Sequence, residues 1–125
     1  ARLARERLAP FGITPVQYAA LAVLWETDGL RGAEIGARLV LDSATITGVL
    51  DRLEGLALVR READPADRRV NRIRLTADGR GRREELQAVM DGLNADVARG
   101  FGAEAPQLWR LLRRLASEPL TAREG

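Results

Sequence analysis

One change of period constrains the fold more than anything else in the chain. In residues 58 to 76, LVRREADPADRRVNRIRLT, apolar residues recur at alternate positions, whereas on either side they recur every three or four. Leu58 to Glu62 and Val70 to Leu75 read as two short strands; in the second, Ile73 and Leu75 fall on one face and Arg72 and Arg74 on the other. Between them, Pro65 lacks a backbone donor and pushes Asp64 toward an extended or turn conformation. The expected result is a hairpin with an arginine-loaded tip. Residues 60 to 83 hold nine arginines against four acids, a local excess of five in a chain whose net charge is only +2. Concentrated positive charge on a hairpin suits a phosphate backbone and a groove.

The stretches before the hairpin are helical. Residues 1 to 9 read as a short helix that Pro10 and Gly12 end; the chain opens without methionine, so a preceding N-terminal portion is expected. Thr14-Pro15 is a start signal, N-cap then first helical residue, for a helix to about Thr27 that is apolar nearly all round and therefore central. A short helix at about Ala33 to Val40 follows, then a tight turn at Leu41-Asp42, then a helix from Ser43 to about Leu56 capped by Asp42. Its inward stripe is Ile46, Val49, Leu50 and Leu53; its outward start is small and polar, with Ala44, Thr45, Thr47 and Gly48, and Arg52 a turn later. Two short helices, a tight turn and such an exposed start form a helix-turn-helix pattern, which the hairpin turns into a winged helix.

After Thr76 the helical period returns, with Leu86, Met90, Leu93 and Val97 in line and a break expected at Gly100-Phe101-Gly102. A last helix is expected at about Glu104 to Ser117, with Trp109 beside its leucines. These stripes suit packing against a second copy. The fold expected is thus mainly α with a small β-hairpin wing, in one domain: a winged helix-turn-helix lobe at 14–76, with dimerisation helices at 1–13 and 77–118.

Composition excludes several functions. With neither cysteine nor histidine, the usual zinc ligands, thiol redox sensing and Ser-His or Cys-His catalysis are all ruled out for this sequence. Every basic residue is arginine, so the pI near 10.3 follows from a slight excess of one type and carries little information. No catalytic constellation can be assembled, and Asp64 with Asp67 would be kept ionised by Arg68 and Arg69. No metal, cofactor or membrane span is expected, and a cytoplasmic location is.

The order of these pieces, with Asp64-Pro65-Ala66-Asp67-Arg68-Arg69 followed by Ile73-Arg74-Leu75-Thr76-Ala77-Asp78-Gly79, resembles the MarR family of bacterial transcription regulators over about residues 8 to 118. Gly12-Ile13-Thr14-Pro15-Val16-Gln17-Tyr18, Ala44-Thr45-Ile46-Thr47 and Asp51-Arg52-Leu53-Glu54 support the resemblance. It departs in two places: Ala57 stands where the family usually has glycine, and Gly48 where many members have arginine. The resemblance implies a homodimeric repressor with a ligand cleft between its dimerisation helices and its DNA-binding lobe, releasing DNA when a small aromatic molecule binds.

The residues expected at DNA are Ser43, Ala44, Thr45, Thr47, Gly48, Arg52, Arg68, Arg69 and Arg72. Thr45 and Thr47 would offer hydroxyl and methyl groups to base edges, Arg68 and Arg69 would enter the minor groove, and Arg72 would meet backbone. Asp64 and Asp67 would stabilise the wing, Asp67 by a charge-assisted contact to an arginine. Phe11, Tyr18, Trp25 and Trp109 are aromatic at helical spacing, a pattern commoner in cores; only the resemblance makes them cleft candidates. Expected partners are double-stranded DNA with a pseudo-palindromic operator, a second copy of the chain and a small aromatic effector. The alternative is a winged-helix protein-interaction module without specific DNA binding.

Overall fold

In the computed structural model, residues 2–101 are described, with side chains as far as Asp96. The helix expected at 104–117, Trp109 within it, and the Val97 side chain lie outside the described residues. After α1 (Arg2–Leu8) and a single 3-10 turn (Ala9–Phe11), α2 (Pro15–Glu26) begins on a capping box. The Thr14 hydroxyl accepts from the Gln17 N–H at 3.2 Å, and the Gln17 side-chain oxygen accepts from the Thr14 N–H at 3.0 Å. Ala20, Leu21 and Leu24 of α2 are fully covered, placing this helix at the centre. No single helix among the described residues is long and apolar enough to cross a membrane.

α3 (Gly32–Leu39) and α4 (Ser43–Gly55) make the helix-turn-helix. The Asp42 carboxylate caps α4, accepting from the Thr45 N–H at 2.7 Å, and Ile46, Val49, Leu50 and Leu53 are all buried. Both helices end in the same way. The Leu41 N–H bonds the Gly36 carbonyl and the Leu58 N–H bonds the Leu53 carbonyl, the six-to-one closure of a Schellman motif. That closure needs a left-handed residue before it, and here the residue is not glycine: Val40 has φ 58° and Ala57 φ 61°. Departure from glycine at 57 therefore leaves the shape of the helix end intact and strains it instead. A Cβ in this region crowds the following carbonyl, and a β-branched residue crowds it more.

β1 (Val59–Ala63) and β2 (Asn71–Leu75) pair antiparallel, with Val59 opposite Leu75 and Arg61 opposite Ile73. Val59, Ile73 and Leu75 are buried, so the alternating face does pack inward. The segment after α2 adds to the free edge of β2: Gly29 N–H bonds the Ile73 carbonyl at 3.0 Å, and Ile73 N–H the Leu30 carbonyl at 2.8 Å. Beyond the sheet, the single helix expected from Thr76 is two: α5 (Ala77–Gly81), capped by Thr76, and α6 (Arg83–Phe101). Gly79 and Gly81 weaken the first turns, and Gly79 must also lie against β1. A Cβ on Gly79 would stand 2.0 Å from the Leu58 carbonyl oxygen. The break expected from Gly100 does not occur, since α6 continues to Phe101; a lone helical glycine costs only about 1 kcal/mol.

The core also crosses the division drawn between the 14–76 lobe and its flanks. Leu8 of α1 and Leu86 of α6 are fully buried in the same cluster as Leu21, Leu24, Ile35, Leu53 and Ile73. Leu93 is 5% exposed. The Leu86–Leu93 part of the stripe expected to await a second copy is thus already covered within the chain, because α1 folds back along α6, where Arg7 pairs with Asp96.

Two glycine exchanges should move stability in opposite directions. Ala57→Gly and Val40→Gly relieve left-handed strain at exposed sites, and each is expected to raise unfolding stability by about 0.5–1 kcal/mol. Gly79→Ala forces β1 and α5 apart and is expected to cost about 1–3 kcal/mol. Urea midpoints at constant slope would read both.

Candidate nucleic-acid interface

The turn between the strands is built around its two aspartates. Asp64 is 7% exposed. One of its oxygens accepts from the Ala66 N–H at 2.8 Å and the other from Arg72 Nε at 3.0 Å. Those bonds hold its carboxyl below the ordinary value of 3.8, the Ala66 N–H most of all and the Arg72 charge next among the lowering causes. Asp67 accepts from the Arg69 backbone N–H at 3.1 Å and from two donors of the Arg69 guanidinium at 3.0 and 3.1 Å. The guanidinium lowers the Asp67 pKa, and Asp67 raises that of Arg69. Pro65, between the two aspartates, has no donor to satisfy. The tip is therefore closed upon itself, while the Arg69 side chain remains 90% exposed. Arg68 beside it is exposed and has no ion-pair partner among the described residues.

α4 supplies the second part of the interface. Ser43, Ala44, Thr45, Thr47 and Arg52 are exposed and Gly48 is half-buried, on the side of the helix opposite Ile46, Val49 and Leu53. The Thr45 hydroxyl is shared with the Asp42 carboxylate, and this contact, ahead of the backbone one, lowers the Asp42 pKa. Toward the wing, Asp51 and Glu54 both bind Arg61 of β1, at 2.9 and 2.7 Å. Arg61 was not singled out in the sequence, where it is one arginine among nine.

The arginine cluster is broken up by the fold. Arg72, expected at the DNA backbone, is turned inward: besides Asp64, its Nη1 donates to the Gly29 carbonyl at 3.0 Å. Its place is the root of the wing, because a buried carboxylate and an unsatisfied carbonyl both lie within its reach. Arg80 donates to the Leu75 carbonyl, Arg82 to that of Phe11 and Arg83 to that of Trp25. Arg74 lies over Gly29 and 3.8 Å from Glu62. What faces outward at the tip is Arg68 and Arg69.

Asp28 and Gly29, read in sequence as a helix stop, have a further use. The Asp28 carboxylate accepts from the Gly29 and Leu75 N–H groups, each at 2.9 Å. Gly29 has φ 82°, and a Cβ there would meet the Arg74 guanidinium at 2.4 Å. Only glycine satisfies both conditions.

A cavity of about 210 Å³ lies among Tyr18, Ala22, Val23, Arg38, Leu39 and Gln87, with Ala19 and Glu26 completing its walls. Of the aromatic residues proposed for a cleft, Tyr18 lines it and two do not. Trp25 is buried with its indole N–H on the Gly79 carbonyl at 2.9 Å, meeting Tyr18 edge-on; Phe11 packs against the core. No group of three or more acidic side chains among the described residues could hold a metal ion.

Comparison with known proteins agrees with this arrangement. The model of the MarR family matches residues 13–80. The HTH-type transcriptional regulator TtmR of Methylorubrum extorquens is 44% identical over 99% of this chain and 63% of its own length. The chain spans about half the length of the Bacillus subtilis organic hydroperoxide resistance transcriptional regulator, to which it is 42% identical over 72 residues. Among solved structures, a MarR-family transcriptional regulator from Rhodococcus sp. RHA1 superposes with TM-score 0.77 at 28% identity, covering 90% of this chain and 82% of that one. Overoxidized AbfR bound to DNA superposes with TM-score 0.72 at 31% identity, covering 91% and 78%.

The aspartate pKa values fix how the wing responds to acid. Their folded values lie below 3.8, so the stabilisation is present above that pH and is lost as pH falls through the lower, folded values. Asp64→Asn is expected to flatten this acid limb of the stability curve. In wild type, the Ala66 and Arg69 amide resonances should titrate below pH 3.8, as NMR would show.

Proposed function

The chain belongs to the MarR family, and from that membership we propose a double-stranded DNA-binding transcription regulator that acts as a homodimer in the cytoplasm and requires neither catalysis nor a cofactor. The observation that carries this reading is the pairing of two outward features on one rigid body. α4 presents a small, polar start, and the wing beside it presents Arg68 and Arg69 on a turn that its own aspartates hold closed. The similar AbfR chain was solved bound to DNA, which supports the same use here.

In this reading the two copies place their α4 helices in successive major grooves, about 34 Å apart along the duplex, and the operator is pseudo-palindromic because the dimer is two-fold. Thr45, Thr47 and Ala44 meet base edges; Arg68 and Arg69 enter the flanking minor groove. Exposed Leu3 and Val16, near the start of α1 and α2, are apolar groups that a second copy can cover. The cavity beside Tyr18 takes a small aromatic effector, its walls largely apolar with Arg38 and Glu26 among them. Effector binding there releases DNA and makes the protein a ligand-responsive repressor.

Fluorescence anisotropy on the DNA flanking the gene, against random duplex, tests the reading. Wild type should prefer the flanking DNA and lose affinity steeply with salt. Arg68→Ala and Arg69→Ala should each cost about 1–3 kcal/mol of binding free energy and flatten the salt dependence. Equal affinity for random duplex, in a protein that sediments as a monomer, would favour the protein-interaction module instead.

A further inference from the structure

We infer that Arg52 is the base-reading residue of α4, recognising a guanine in the major groove across the space that Gly48 leaves empty. This rests on the DNA-binding reading above and adds to it the residue that sets sequence preference. Ala44, Gly48 and Arg52 are spaced i, i+4, i+8 and so line up along one stripe of the helix. Side chains on a helix lean toward its N-terminus and cover the preceding turn. The Arg52 side chain does so here: its Nη1 is the atom nearest to where a Gly48 Cβ would stand, at 3.8 Å. A side chain at 48 would crowd the stripe along which Arg52 leans. With glycine there, a residue rooted two turns into α4 carries its guanidinium back toward the exposed start of the helix, the part that meets base edges in a helix-turn-helix.

The electrostatics leave Arg52 available. Its chain neighbour Asp51 and nearby Glu54 are the carboxylates best placed to neutralise it, and both are drawn to the half-buried Arg61 of β1. Arg52 is exposed and has no hydrogen-bond or ion-pair partner among the described residues. Thr45, by contrast, shares its hydroxyl with Asp42. Arg52 is thus a planar, five-donor group without an internal partner on this face of α4, and the guanine edge, with its N7 and O6 acceptors, is the base edge that such a fork fits with two bonds.

The test begins with wild-type protein selecting its preferred duplexes from a randomised pool. Each base pair of the selected half-site is then replaced in turn, and the affinities of wild type, Arg52→Ala and Arg52→Lys are compared, with circular dichroism to check that both variants are folded. Discrimination at one G·C pair, roughly 5- to 150-fold in wild type, should collapse in Arg52→Ala while discrimination at the other positions persists. Arg52→Lys should keep the salt dependence and lose most of that discrimination, because the charge remains and the fork does not. If Arg52→Ala weakens binding by the same factor on every duplex, Arg52 is a phosphate contact and this inference is overturned, with the regulator reading intact. If wild type enriches no sequence at all, both fall together.

Discussion

The angle at which the wing stands depends on β2 being bonded along both edges. A lone two-stranded hairpin of this length is marginal in water. Here β1 holds one edge, and the segment from Asp28 to Arg31 holds the other through Gly29, Leu30 and the Asp28 carboxylate. Arg72 then ties the tip's Asp64 to the Gly29 carbonyl, so the turn, the strand and the end of α2 share one set of hydrogen bonds. On the opposite side, Leu58 both closes the end of α4 and leads into β1. The recognition helix and the arginine tip therefore keep a fixed offset, which a protein that reads two grooves at once requires.

What was legible in the sequence was local. The caps at Thr14, Asp42 and Thr76, the inward stripe of α4 and the alternation in β2 follow from spacing and side-chain chemistry within a few residues. The fate of the arginines was not legible, because their partners are distant: Arg72 meets Gly29 across 43 residues, Arg83 meets Trp25 across 58, and Arg82 meets Phe11 across 71. A charge count over residues 60 to 83 treats them all as surface. Trp25 escaped for the same reason, since the carbonyl that takes its indole N–H is 54 residues away. The strain at Val40 and Ala57 was hidden as well, because neither residue type announces a left-handed backbone.

The inward-turned arginines show a use of the guanidinium that is separate from nucleic acid. Arg82 reaches the carbonyl of Phe11 in the turn after α1, and Arg83 a carbonyl in the last turn of α2, where backbone acceptors lack helical partners. Arg72 bonds a carboxylate and a carbonyl together, which the several fixed donors of one fork permit and a single ammonium matches less well. Junctions between helices and sheet are thereby fastened by the residue type that also faces outward at the tip.

The clamp between Asp67 and Arg69 has a thermodynamic consequence for association. Ordering a long, flexible cationic side chain costs up to about 2 kcal/mol of conformational entropy. Much of that ordering is already complete at Arg69 before a duplex arrives, whereas Arg68, with no such tether, has all of it still to lose. Neighbours identical in chemistry thus differ in preorganisation. Arg69 meets its groove as a rigid probe, and Arg68 adapts to whatever shape it finds.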